Sequence, residues 1–598
     1  MALTKEQLEE QKKDAVELLF SGPQTLGFAK AMFFGHFRHE LLFPYPRLSP
    51  EEGYHVEKAI TDLREFAATK MDPVAIDREA EIPLDVVVGL GNLGILGMTA
   101  PASFGGRDFS QLAYTKVMEA IGGICSSTAV FVNAHHSIGI RALLLFGTPE
   151  QQKRWLGPLC HGSQIAAFAL TEPEAGSDAA NVQTTAVPSP DGAGYILNGE
   201  KRWITNGGIA QVLTVIARTP GSGGNRKKEI TAFLVTPDMP GFEVVEKRMA
   251  KTGIRGTATG RLKFTNMFVP KENLLGKVGK GLKIALTVLD FGRTTFGASC
   301  TGAAKVCVEA ACKHALSRVQ FQQPIAEFEL VQKKIAFMAA HAFAMEAVTS
   351  NCASLIDRNF DDYMLETAML KVWSTEALWK IVNDTIQILG GKAYFLDQPY
   401  ERMMRDARIN MIGEGANDVL RGFIAVVGLK PLGDYFLKLQ DAAWHPWRGL
   451  PSLCGFAWNQ VKRRLTVPEV PVASAVLKPW ATSLGKRVRQ FALAVQRQIF
   501  RLREAIITRE LIHERIADAA CELYASSCVL ARLDALLQSS DANTPEGKKD
   551  FLTGEYYLRF SDNRIGSILA DMDGKLDSAT LAAAENTLSI YRNGSQTS

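Results

Sequence analysis

The chain has no CxxC pair among its nine cysteines and no HxxxH or HExxH spacing among its ten histidines, so metal sites and disulfide frameworks lack support. No uninterrupted apolar run reaches the ~18 residues that span a bilayer. The longest candidate, Val86 to Met98, is broken by Asn92 and four glycines. An excess of one charge is missing too: a net charge of +4 over 598 residues is too small to suggest a nucleic-acid binder. Nor is there a basic leader. The opening MALTKEQLEEQKKDAVELLF mixes acids with bases in an amphipathic period, unlike a secretory signal or a mitochondrial presequence. The expected compartment is reducing: bacterial-type cytoplasm, or mitochondrial with a presequence removed, with peripheral contact at the inner membrane a further possibility.

What is present is ordinary for a soluble globular protein, with 46% hydrophobic and 22% charged residues. The length exceeds the roughly 250–300 residues at which a single core stops growing, so several domains are expected. Residues 1–50 read as an N-terminal extension and 51–165 as a helical domain. Ser49-Pro50-Glu51-Glu52 is a helix start, because Ser caps free N–H groups and the acids suit the dipole's positive end. Thr148-Pro149-Glu150 opens another helix.

Between 166 and 275 the pattern changes to β-rich runs such as YILNGEKRWITNG and VLTVIARTP, broken by turn residues. No helical segment intervenes, which favours an antiparallel sheet or barrel over βαβ units. Residues 276–430 return to long amphipathic helices with short connections, as in an antiparallel bundle. The stretch 431–475 reads as a linker and 476–598 as an additional helical domain. The fold class is therefore mainly α with a central β domain.

Four local strings carry chemistry. Phe168-Ala169-Leu170-Thr171-Glu172-Pro173-Glu174-Ala175-Gly176-Ser177-Asp178 offers hydroxyls and a glycine at which a ligand can approach the backbone closely. On its own it also fits an ordinary turn. Arg202-Trp203-Ile204-Thr205-Asn206-Gly207 is the second string, Gln387-Ile388-Leu389-Gly390-Gly391 the third, and Arg405 to Asp418 around Gly413-Glu414-Gly415-Ala416-Asn417-Asp418 the fourth. In this order they resemble the signatures of the acyl-CoA dehydrogenase family over roughly residues 50 to 430. The ~170 residues beyond resemble the very-long-chain branch, which carries an added helical C-terminal domain.

That resemblance implies an N-terminal helical domain, a middle β-barrel or sheet and a C-terminal four-helix bundle. It implies FAD-dependent α,β-dehydrogenation of a long-chain acyl-CoA to a trans-2-enoyl-CoA in fatty-acid β-oxidation, with electrons passed to an electron-transfer flavoprotein. Glu414 would be the catalytic base. Phe168, Leu170, Thr171, Gly176, Ser177, Trp203 and Thr205 would hold the flavin, together with Ala416, Asn417 and Asp418. Arg318, Gln320 and Phe321, with Gln387, Gly390 and Gly391, would reach the flavin of a neighbouring subunit, so a homodimer is expected. Ser177, Asp290, Arg293 and Gly415 would line the acyl-CoA site, although the spacing of Asp290 and Arg293 alone also fits a surface ion pair.

Two positions depart from the family pattern. Gly413 stands where an aromatic residue is usual, and Ala416 where a threonine is, which removes a hydroxyl contact to the flavin. An acyl-CoA oxidase and a non-catalytic assembly factor on the same fold are the competing readings. Finally, residues 441–465 combine Trp444, Trp447, Phe456 and Trp458 with Lys462, Arg463 and Arg464. That composition suits a membrane surface, or equally tryptophans packed onto the C-terminal domain beside a solvated basic helix end.

Overall fold

The computed structural model describes residues 26–220, 229–444 and 466–594. They form two compact units: Pro46–Asn417, and Thr25–Tyr45 together with Asp418–Ser598. The tryptophan-rich stretch from 445 to 465 lies outside the described residues.

In the first unit, helix α1 (Pro50–Lys70) starts where its chemistry says it should. Ser49 accepts a hydrogen bond from the Glu52 N–H, and Pro50 occupies the first turn. Its buried residues Val56, Ala59, Leu63 and Ala67 recur at three and four, one helical face. The Pro149–Cys160 helix opens on a capping box, in which Thr148 and Gln151 satisfy each other's backbone N–H groups. Between them run α2 (Gln111–Ile124) and α3 (Ser126–Phe146). Helix α3 is long and apolar enough to cross a membrane, yet 72% of its apolar window is buried inside the protein. Its hydrophobicity is that of a core helix. Residues Asn133–Ile140 within it are wound as a π-helix, a local widening that is frequent at functional sites.

Eight strands follow as one sheet, β1 (Ala166–Ala169), β2 (Thr185–Pro188), β3 (Gly194–Ile204), β4 (Val212–Thr219), β5 (Glu229–Val235), β6 (Phe242–Glu246), β7 (Gly260–Pro270) and β8 (Leu274–Leu275). The order is β6-β7-β3-β2-β4-β5-β8, with β1 parallel to β4. Most pairs are antiparallel, as the absence of intervening helices requires. Strand β3 slips register against β7 between Lys201 and Ile204. The bulge falls on Trp203, whose φ is +59°.

The bundle is built on α4 (Gly281–Ser317), α5 (Glu329–Asp357) and α6 (Met364–Leu389). Asp290 meets Thr367, Gly297 faces Leu370 and Cys307 pairs with Thr385, so α4 and α6 run in the same direction. Helix α7 (Tyr400–Asn410) then leads through a tight loop to α8 (Asn417–Trp444). Helix α8 continues through Pro431, where a new segment was expected to begin. Burial of Leu429 and Leu432 on either side holds the helix through that position.

The second unit adds α9 (Lys478–Leu502), α10 (Glu510–Leu537), α11 (Pro545–Ala570) and α12 (Asp577–Gly594). Helix α10 is its core, with Ile516, Leu523, Tyr524 and Leu530 fully enclosed. Residues 28–33, read from sequence as part of an extension, belong to this unit: Phe28 packs on Tyr524 and Phe33 on Phe491.

Candidate active site

The loop between α7 and α8 is closed by the Asn417 N–H donating to the Met411 carbonyl at 3.0 Å. At its apex Glu414 has φ +58° and Gly415 φ +101°. A left-handed conformation is costly for a non-glycine residue and is held only where the surroundings enforce it. Lys371 of α6 does the enforcing. Its Nζ donates to the Gly415 carbonyl at 2.6 Å and to Asn417 Oδ1 at 2.8 Å. Asn417 in turn donates to Thr375 Oγ1 and Glu376 Oε1, so its side chain is engaged with α6. Asp418, the next residue, is exposed.

Glu414 is half-buried as a residue, but its carboxylate is enclosed. Oε1 accepts from Asn133 Nδ2 at 2.7 Å, while Oε2 has no hydrogen-bond partner. Burial pushes the carboxyl up to about 7, and Arg293, Lys371 and the Asn133 amide pull it back toward ionisation. Gly292 of α4 lies directly beneath, where an added Cβ would come within 2.9 Å of Oε2. At Gly413 an added Cβ would meet nothing closer than 3.7 Å, so local crowding at the backbone does not require glycine there.

Asp290 and Arg293 are not a surface pair. Both are buried, 3.0 Å apart, with Thr367 donating to Asp290 at 2.9 Å. Burial pushes Asp290 up to about 6.

The first two strings are neighbours: the Arg202 N–H donates to the Thr171 carbonyl at 3.0 Å. A buried ion pair lies beneath them. Lys201 Nζ donates to Glu172 Oε1 at 2.7 Å and to the Leu170 carbonyl at 2.9 Å, and Glu172 accepts from the N–H groups of Gln183 and Thr184. Above this floor Trp203 is 51% exposed despite its size. The hydroxyls of Thr171, Ser177 and Thr205 make no hydrogen bond among the described residues. An added Cβ at Gly176 would meet no atom, so local crowding does not require glycine there. An open aromatic face beside unengaged hydroxyls and a bare backbone fits a flat ring system with polar edges, such as a flavin. The segment also connects toward Glu414. Asn206 Nδ2 donates to the Phe131 carbonyl at 3.1 Å, two residues before Asn133 on α3.

Arg318, Gln320 and Phe321 do not join this site. They lie past the C-terminus of α4, 25 residues beyond Arg293, or roughly 37 Å along a helix. Gln387, Gly390 and Gly391 sit at the same end of the bundle, at the exposed end of α6. Sequence reasoning missed Asn133, Lys371 and the Lys201–Glu172 pair. Asn133 and Lys371 were visible only as polar residues in largely apolar runs, while Glu172 and Lys201 lie within strings already singled out but 29 residues apart, with no local signal to pair them.

Comparison with known proteins agrees with this geometry. Residues 56–163, 167–267 and 279–429 match the N-terminal, middle and C-terminal domains of acyl-CoA dehydrogenase, and residues 475–589 match the ACAD9/ACADV C-terminal domain. The mouse mitochondrial very long-chain specific acyl-CoA dehydrogenase is 35% identical over 85% of this chain and 79% of its own length. A Mycobacterium bovis protein named "Probable acyl-CoA dehydrogenase FadE10" is 34% identical over 95% and 89%. An acyl-CoA dehydrogenase of Bacillus anthracis, solved in complex with FAD, superposes with a TM-score of 0.78 at 27% identity, covering 91% of each chain. The chain belongs to the acyl-CoA dehydrogenase family.

Proposed function

We propose that this enzyme dehydrogenates long-chain acyl-CoA to trans-2-enoyl-CoA, with Glu414 as the base. The observation that carries the reading is the Glu414 carboxylate, enclosed, raised to about 7 and left with one unpartnered oxygen. A general base works best when its pKa lies near the working pH. Glu414 takes the α-proton, breaking the C–H bond and forming O–H, and the electron pair becomes the Cα–Cβ double bond as hydride leaves the β-carbon. FAD, the cofactor family members use, supplies the hydride acceptor when bound at Phe168, Leu170, Thr171, Gly176, Ser177, Trp203 and Thr205. The Glu414 N–H, which makes no hydrogen bond among the described residues, donates to the thioester oxygen. The buried Arg293 and Asp290 hold the wall of the acyl-CoA site beside Gly415.

With a ferrocenium acceptor and acyl-CoAs from C4 to C20, kcat/KM is expected to rise toward the long chains without hydrogen peroxide forming. Peroxide in proportion to turnover with no added acceptor would identify an oxidase. Added electron-transferring flavoprotein is expected to replace ferrocenium.

A homodimer completes the site. Phe321 is 88% exposed and Tyr394 and Leu396 are each 78% exposed at the end of the bundle that carries Arg318 and Gln387. Exposed apolar groups so concentrated mark an interaction surface. Dilution to monomer is expected to release FAD. A monomer by light scattering that keeps stoichiometric FAD would count against the shared site.

A further inference from the structure

We propose that Asn133 is a positioning residue for the reaction: it ties down Glu414 Oε1 so that Oε2 alone is presented to the α-proton. This rests on the reading of Glu414 as the base.

The argument starts from what each atom can do. A carboxylate only accepts, so Asn133 must turn its amide nitrogen toward Oε1, at 2.7 Å. Its carbonyl oxygen then faces away and must accept, and Thr295 Oγ1 donates to it. Thr295 Oγ1 also has the Phe291 and Gly292 carbonyls of its own helix at 3.2 and 3.1 Å, but Asn133 Oδ1 is nearer and takes its one hydrogen. That leaves Thr295 to accept from Ser137 Oγ at 2.9 Å and Ser137 to accept from the Tyr114 hydroxyl at 2.8 Å. Four buried side chains, Tyr114, Ser137, Thr295 and Asn133, thus donate in one direction and end on the carboxylate. Each donor in such a chain polarises the next. The chain links α2, α3 and α4, and its last donor, Asn133, is the first residue of the π-helical turn. Asn133 and Glu414 are 281 residues apart in sequence, so the contact exists only in the fold.

The result is an asymmetric carboxylate. Oε1 is held by the amide, and Oε2 has no partner and lies over Gly292, the one residue type that leaves it space. The other groups facing Glu414 are Arg293 and Cys300 on α4, Lys371 on α6 and Tyr114 on α2. None of them hydrogen-bonds the carboxylate. Asn133 is therefore its sole fixed tether among the described residues.

Removing a donor to a carboxylate favours its protonated form, so a higher pH is needed to ionise the base. The test follows flavin reduction in the FAD-loaded enzyme by a saturated C16 acyl-CoA across pH. Asn133→Ala is expected to keep its FAD and to move the acidic limb up by about one pH unit or more, as for loss of a charge-assisted hydrogen bond. The limiting rate above that limb should also stay below wild type, because an untethered carboxylate is misaligned. Thr295→Val, which keeps the shape and removes the hydroxyl, should move the limb the same way by less. It decides the matter should Asn133→Ala fail to hold FAD. A limb unmoved in a flavin-loaded variant overturns the role of Asn133. Glu414→Gln run in parallel separates the two claims: inactive, it leaves only the tether refuted, whereas active, it refutes the base itself.

Discussion

Glu414→Gln is expected to fold, to bind FAD and to lose dehydrogenation by ~10³-fold or more, several kcal/mol of barrier. Gln matches Glu in shape, and Asn133 can still reach its carbonyl oxygen, so the loop with its φ of +58° should persist. What disappears is the proton acceptor. The wild-type counterpart is a pH profile whose acidic limb lies near 7, the value to which burial raises the carboxyl. A raised carboxyl pKa means that the active, ionised base is lost as pH falls through about 7, far above the 4.5 of an ordinary Glu. A limb near 4.5, or a Glu414→Gln enzyme with more than a tenth of the activity, would contradict the assignment.

The second large effect concerns the floor of the flavin segment. Lys201 and Glu172 are almost wholly buried and their charges meet at 2.7 Å, with the remaining carboxylate positions filled by two backbone N–H groups. Burial pushes Lys201 down to about 8, the cost of desolvating an ammonium that Glu172 only partly offsets. Removing one partner strands the other charge. Lys201→Met is therefore expected to destabilise the protein by about 3–5 kcal/mol and to weaken FAD binding, because the Leu170–Gln183 loop loses its anchor. The double variant Lys201→Met with Glu172→Leu should recover much of the stability, since no lone charge remains. Denaturant unfolding of the three proteins reads this directly. A single variant within 1 kcal/mol of wild type would show that the pair does not hold the loop.

How much of this could be read in advance depended on the range of the interaction. Ser49 and Thr148 cap helices through residues three positions away, so their roles were legible from the local string. The sheet was legible because strand and turn residues alternate along the chain. Glu414 stood out through its glycine neighbours and its family string. Asn133 did not, since a single amide in the apolar run from Ser126 to Phe146 has no local signature. Its partner is 281 residues away, and the π turn that aims it has no sequence pattern of its own. Lys371 was hidden for the same reason, a lone cation among Leu370, Val372 and Trp373 whose acceptors, Gly415 and Asn417, lie on another segment. Asp290 and Arg293 show the reverse case: their i, i+3 spacing was visible, but spacing cannot say which side of a helix is buried.

The central claim is tested most directly by mixing the FAD-loaded enzyme anaerobically with one equivalent of a saturated C16 acyl-CoA and recording the flavin spectrum while assaying the acyl product. Loss of the oxidised flavin band, with trans-2-enoyl-CoA formed in equal amount, is the predicted result. A flavin that stays oxidised while the acyl-CoA remains saturated would contradict it.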